Sequence, residues 1–216
     1  MIKNKKALVV WGGMELHTPE RGAHVVADLL EAEGFAVTVT PDYDALGAAD
    51  VGSNDLVVPV ITAGQLAPEK MERLIAAVRA GTGLAGYHMG LATSFRDSVP
   101  FRYAASCYWV QHPGNIITYR VDVAQAEHPI MAGIESFTHT SEQYYLNYDP
   151  AVAVLATTTF SGEFHPWRKD VVMPVVFTTM HDQGRVFYSS LGHTADELAG
   201  GPVREILRRG LLWAAR

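Results

Sequence analysis

Two hydrophobic rhythms alternate along this chain. Short β-branched runs are followed by longer stretches whose apolar positions recur at helical spacing, the pattern of βαβ units around a parallel sheet. Ala7 to Trp11 predicts a first strand, and Val25, Val26, Leu29 and Leu30 set the apolar stripe of a helix from Pro19 to Glu33 that stops at Gly34. A second strand follows at Phe35 to Thr40 and a third at Asp55 to Val60. Pro68 to Ala80 opens with proline and ends at Gly81, so it reads as a helix. Gly83 to Tyr87 is a fourth strand. From Asp97 to Asn115 aromatics and turn formers lack any period, which predicts an irregular excursion over one end of the sheet. Strand patterns return at Ile116 to Val123, Val152 to Thr158, Val172 to Thr178 and Gly184 to Ser190, the last two joined at Asp182-Gln183-Gly184. Pro202 to Ala215 closes the chain as an amphipathic helix carrying Val203, Ile206, Leu207, Leu211 and Leu212.

Composition narrows this picture. With 216 residues, 48% apolar and 19% charged, the chain suits one domain over residues 1 to 216 with one substantial core. A net charge of −6 and the absence of a Lys/Arg stripe argue against a nucleic-acid partner. The basic clusters Lys3 to Lys6 and Arg204 to Arg209 read as a solvated terminus and a solvated helix face. One cysteine, Cys107, rules out an intrachain disulfide and suits a reducing compartment. The opening MIKNKKALVVWGG has too short an apolar run for a signal peptide, and no segment has transmembrane length. A cytoplasmic protein without a membrane partner is expected. The apolar content and the aromatic excursion point to a homodimer.

Candidate chemistry begins at Gly86-Tyr87-His88-Met89-Gly90, which has the Gly-x-nucleophile-x-Gly outline of a strand-to-helix elbow. Such an elbow lifts its central side chain above the strand ends. An imidazole there serves as acid, base or ligand rather than covalent nucleophile, or simply fills a tight turn. Ligands of open parallel sheets bind at the carboxyl ends of the strands. That rule selects Gly12 to His17, Val60 to Gly64, His88 to Ser94 and Leu191 to Glu197, three of which carry histidine. The pair Gly12-Gly13 would let backbone amides approach an anionic or hydroxyl-bearing ligand beside His17. It lacks the Gly-x-Gly-x-x-Gly and acidic partner of a dinucleotide site, so no nucleotide cofactor is expected. His193 follows Gly192, where its imidazole points toward the crevice or caps a turn.

Further along, Trp109-Val-Gln-His112-Pro113-Gly114 bends so as to present His112 at a pocket mouth. His128-Pro129 reads as a turn, and His165, flanked by Glu163 and Trp167, is a weaker pocket candidate. Glu142 in Ser-Glu-Gln-Tyr-Tyr is either an exposed residue of a first helical turn or a carboxylate able to orient an imidazole, ligate a metal or move a proton. Tyr144, Tyr145, Trp11, Trp109 and Trp167 are aromatics that either stack on a ligand or pack in the core and rim. No zincin spacing and no Cys-x-x-Cys pair is present. A metal site would therefore be assembled in space from the separate loops of His17, His88, His112 and His193, three imidazoles with a carboxylate suiting a divalent ion such as Zn²⁺, and His88, His112 and His193 are the candidate ligands.

The strings WGGMELHTPE, GYHMGLATSFR, WVQHPGN, HPIMAGI, SEQYY, LATTTFSGE and MPVVF…GRVFYSSLGH resemble the ThuA-like (trehalose utilisation) family of the class I glutamine amidotransferase-like superfamily. The resemblance spans about Ala7 to Arg216. It implies an α/β, flavodoxin-like three-layer sandwich with a mostly parallel central sheet, and a bacterial sugar-utilisation context. His88 would stand at the amidotransferase nucleophile position and His193 at that of the triad histidine. The family elbow usually reads Gly-Leu-His-Gly-Gly, so Met89 replaces a glycine, and Ser106-Cys107 replaces a glycine pair. The expectation is an enzyme acting on a sugar or oxidised sugar derivative. In it His88 and His193 transfer protons or bind metal, Glu142 orients or acts as base, and His17, His112, Tyr144, Trp109, Gly12 and Gly13 contact substrate. The alternative is a non-catalytic sugar-binding or regulatory module. An amidotransferase or cysteine hydrolase is disfavoured because the elbow lacks cysteine.

Overall fold

A computed structural model describes residues 5–216, and Lys3 of the amino-terminal basic cluster lies outside them. Strands β1 (Lys6–Gly12), β2 (Ala36–Thr40), β3 (Leu56–Ile61) and β4 (Gly83–Tyr87) alternate with helices α1 (Pro19–Ala32) and α2 (Pro68–Arg79). After β4 come the short helices α3 (Met89–Ala92) and α4 (Val99–Ala105), then β5 (Cys107–Gln111) and β6 (Ile116–Val123). The chain continues through β7 (Phe137–Glu142), β8 (Tyr145–Tyr148), β9 (Ala153–Thr159), β10 (Val172–His181) and β11 (Gly184–Ser189), and ends in α5 (Gly201–Ala214).

Nine strands form one sheet in the order β2-β1-β3-β4-β11-β10-β9-β6-β7. The first five are parallel. The remaining four join by antiparallel pairings, starting with the β10–β11 hairpin. The expected α/β sandwich is thus present, with its parallel core extended on one side.

Successive strand residues point to opposite faces, and β1 shows the consequence. Ala7 and Val9 pack with Val58, Ala85 and Phe187 under α1 and α5, whereas Leu8 and Val10 pack with Val57, Ile61 and Leu84 under α2, α3 and α4. β3 is buried at every position, as a strand covered on both faces must be. The helix stripes read from sequence supply the facing layers, including Val26, Leu29 and Leu30 of α1 and Ile206, Leu207 and Leu211 of α5. Burying each such side chain contributes about 1.5–3 kcal/mol.

The region from Asp97 to Asn115 is not irregular. It contains α4, capped by Ser98, whose Oγ accepts the Phe101 N–H at 3.3 Å, and β5, which pairs antiparallel with β8 in a separate two-stranded ribbon. A seven-residue helix is too short to show a period, and the ribbon has a register irregularity between Trp109 and Gln111, which breaks alternation. Ser106 sits at φ 56°, a left-handed conformation that glycine adopts most cheaply. β7 and β8 also emerge where the sequence offers no clean alternation. Cys107 is buried in β5, and burial raises its thiol above the ordinary range, as suits a small packed hydrophobe. No described helix is long and apolar enough to cross a membrane.

Candidate functional site

The carboxyl ends of β1, β4 and β11 each deliver one imidazole to the same place. After β4 the chain turns sharply at His88, which takes φ 50° and ψ −120°. That is a rare conformation for a residue with a Cβ, of the kind that clusters at functional sites. The elbow is held on both sides of the residue: His88 N–H donates to the Ser189 carbonyl at 2.7 Å, and the Tyr188 hydroxyl donates to the His88 carbonyl at 2.8 Å. Gly90 permits the turn, since a Cβ there would lie 2.5 Å from the Pro59 carbonyl oxygen.

After β1, Gly13 adopts φ 94° with its α-carbon hard against the Thr62 backbone. This seats a one-turn 3-10 segment, Glu15–His17, and brings His17 Nδ1 to 2.8 Å from Thr62 Oγ1. The glycine pair therefore accommodates the protein's own chain: Gly12 lies against the Tyr43 ring and Gly13 against Thr62. This packing explains why both positions are glycine. After β11, Gly192 at φ 95° leads into His193, whose N–H donates to Glu197 Oε2 at 3.1 Å.

The fourth member comes from the antiparallel half. Glu142, the last residue of β7, is 6% exposed and turned inward, which excludes the exposed helical reading. Its Oε2 lies 3.0 Å from His88 Nε2 and 3.5 Å from His193 Nδ1, and its Oε1 lies 3.7 Å from His112 Nε2. The rings of His17, His88 and His193 stand edge to face in a triangle, with centroids 5.0–5.1 Å apart.

Tyr144 cannot be the sugar platform expected of it. It is 2% exposed, and its hydroxyl meets His88 Nε2 at 2.6 Å, so it supports the histidine from below. Trp109 is half-buried and tilts against His112 with ring centroids 5.4 Å apart, backing that residue at the edge of the site. His165 stacks on the exposed Trp167, and His128 Nδ1 accepts the Ile130 N–H within its turn. Met89, half-buried, lines the cavity beside His88.

Two supporting residues escaped the sequence reading. Thr62 orients His17. Glu197 binds the His193 amide and also accepts from His139 Nε2 at 3.2 Å and from the Ser141 hydroxyl at 3.1 Å, tying β7 to the loop after β11. The available signal was spacing, since Glu197 stands four residues after His193 and Thr62 directly follows β3.

Environment drives these groups apart electrostatically. Burial, reinforced by the neighbouring imidazoles of His88 and His193, lowers His17 to about 4. Burial also lowers His88, outweighing the hydrogen bond from Glu142 that favours its charged form. His193 moves the other way, raised by the Glu142 carboxylate beside it against the effect of burial. Burial alone would raise Glu142, but the contacts with His193 and His88 prevail and hold its carboxyl well below the usual range. An ionised carboxylate thus sits among imidazoles of differing proton affinity, an arrangement suited to proton transfer or to ligation of a cation.

The fold and this site define a flavodoxin-like α/β protein whose nucleophile-type elbow carries histidine in place of a thiol or hydroxyl. The family model described as ThuA, trehalose utilisation, matches residues 6–214, and the chain belongs to that family. Among solved structures it is similar to a putative ThuA-like protein from Parabacteroides merdae, with TM-score 0.81 and 19% identity over 98% of this chain and 90% of that one. A second putative ThuA-like protein, from Bacteroides uniformis, gives TM-score 0.80 and 18% identity over 99% and 93%. A cytoplasmic protein of Salmonella typhimurium gives TM-score 0.65 and 14% identity over 98% and 99%. No curated protein matches the chain.

Proposed function

We propose that this ThuA-family protein is an enzyme that acts on an oxidised derivative of trehalose or a related disaccharide, with the His/Glu cluster as its reactive centre. The observation that carries the reading is the placement of Glu142, a buried carboxylate within 3.0–3.7 Å of three imidazoles from three separate loops. Nothing in the packing of β7 requires such a cluster.

A carbonyl in a sugar ring acidifies the neighbouring C–H. Isomerisation and elimination at such a sugar both begin with removal of that proton, and both gain from a donor or cation facing the oxygen that becomes negative. His112 is the group placed to move the proton. It lies at the edge of the cluster, with its side chain 20% exposed, Nε2 turned to Glu142 at 3.7 Å, and Nδ1 buried without a hydrogen-bond partner. The cavity among the inner imidazoles is about 20 Å³ and holds one small occupant. A sugar ring therefore stays at the mouth, beside His17 and His112, and presents one edge.

The test is incubation with a panel of keto-disaccharides in D₂O, followed by proton NMR. The expected result is deuterium incorporation beside the carbonyl, or conversion of the sugar, that is lost in Glu142→Gln and reduced in His112→Ala. Sugar binding without exchange or conversion would overturn the enzymatic reading in favour of a binding or regulatory module.

A further inference from the structure

Proton transfer at the mouth uses His112 and Glu142 and gives the imidazoles of His17, His88 and His193 no task of their own. His17, His88, His193 and Glu142 each turn one potential ligand atom toward a common point, and these atoms all lie within 4.8 Å of one another. We propose that these four residues form a site for one divalent first-row transition metal ion, with His112 left free beside it. The site shares its location with the reactive centre proposed above, and its test reads metal alone.

Four independent observations support the assignment. First, the spacing is near that of a real centre. Nitrogen and oxygen ligands sit about 2.0–2.2 Å from such an ion, so ligand atoms are separated by about 3–4.4 Å, and small side-chain rotations close the difference. Second, His17, His88 and His193 line a cavity of about 20 Å³, of which Glu142 is not part, that accepts an ion or a single water and nothing larger.

Third, His193 Nδ1 is buried and has no hydrogen-bond partner, its nearest acceptor being Glu142 Oε2 at 3.5 Å. A buried ring nitrogen left in this state costs free energy that a bound cation would remove. Fourth, His17 carries the outer contact that orients a metal-bound imidazole, and the backbones of His88 and His193 are held in place. Thr62 occupies His17 Nδ1 and so leaves Nε2 for the ion, while backbone contacts fix His88 on both sides and Glu197 anchors the His193 amide.

Three imidazoles and one carboxylate suit Zn²⁺, Mn²⁺, Fe²⁺ or Co²⁺ better than Mg²⁺ or Ca²⁺, which prefer all-oxygen shells. The assignment revises the ligand set expected from sequence. His17 takes the place of His112, whose contact with Glu142 is 3.7 Å and whose atoms lie outside the converging group.

The experiment is metal titration of the full chain after treatment with a chelator, using Zn²⁺ for calorimetry and elemental analysis and Co²⁺ for visible spectroscopy. The expected result is one equivalent of ion per chain, with d–d absorption from Co²⁺ showing nitrogen and oxygen ligation. Binding is lost in His17→Ala and His193→Ala, weakened about tenfold or more in Thr62→Val, and retained in His112→Ala. Folding of each variant is checked by circular dichroism. The Co²⁺ spectrum of the unaltered chain reports the ligand set even if a variant unfolds. Absence of saturable binding by the folded chain, or binding that survives loss of both His17 and His193, overturns the site. Deuterium exchange that persists in metal-free protein would overturn the need for metal while leaving the enzymatic reading in place.

Discussion

The two halves of the sheet contribute different things to the same point. The parallel half, β1 to β4 with β11, supplies His17, His88 and His193, each from the connection that follows a strand. The antiparallel half supplies Glu142 from a strand end and His112 from the bend after β5. Imidazoles gathered at parallel strand ends are what this class of sheet offers any ligand. Their usefulness depends on the carboxylate that the second half brings in, which gives them a counter-charge and a common orientation. The candidate site therefore draws on both halves.

The sharpest way to break this comparison is to remove the contribution of the antiparallel half. Glu142→Ala is expected to lower kcat/KM about 10³-fold, within the usual range for loss of an acid–base group, when measured by deuterium exchange with a sugar that turns over. The equivalent insult to the parallel half is structural. Phe187 is fully buried in β11 and packs against Gly210 of α5, so Phe187→Ala should cost about 3–5 kcal/mol in urea unfolding.

A smaller effect comes from pH. Unfolded histidine titrates near 6.5, whereas His17 falls to about 4 in the folded chain and His88 also falls. Between these values the unfolded chain binds more protons, so stability is present above pH 6.5 and declines as pH drops toward 4. His193 and Glu142 respond differently. The contribution of His193 is present below pH 6.5 and is lost as pH rises through its raised value; that of Glu142 is present above its unfolded value and is lost only in stronger acid. Thermal unfolding of chelator-treated protein should therefore show a midpoint that falls between pH 6.5 and 4, with a shallower fall in His17→Gln. The smallest change expected is in Arg21→Ala. This removes a 2.7 Å pair between Arg21 and Asp196, both exposed, and should shift stability by no more than about 1 kcal/mol in the same urea assay.

Legibility from sequence follows this divide only in part, since β6, β9 and β10 of the antiparallel half were also readable. Helices α1, α2 and α5 and strands β1 to β4 were readable because each carries its own period or an unbroken apolar run, bounded by proline and glycine. β5, β7 and β8 were not, because an edge ribbon with a register irregularity and strands of mixed polarity have no local signature. At the site, His88 stood out through its flanking glycines, and His17 and His193 through their positions after strands. Tyr144 misled because an aromatic bears no sequence mark of whether it faces solvent or supports a histidine from beneath. Gly12 and Gly13 are ambiguous in sequence because close approach by the protein's own chain and by a ligand demand the same residue.

The amino-acid sequence by itself determined the α/β class, the parallel core, the elbow and the family, since these rest on local periodicity, turn chemistry and strings of adjacent residues. Tertiary structure alone decided that Glu142 is buried and that it meets His88, 54 positions away, together with His193 and His112. A glutamate at the end of a strand looks the same in sequence whether it faces water or three histidines. The choice is made by the pairing of β7 with β6 at the far side of the sheet, a contact between segments that no local pattern encodes.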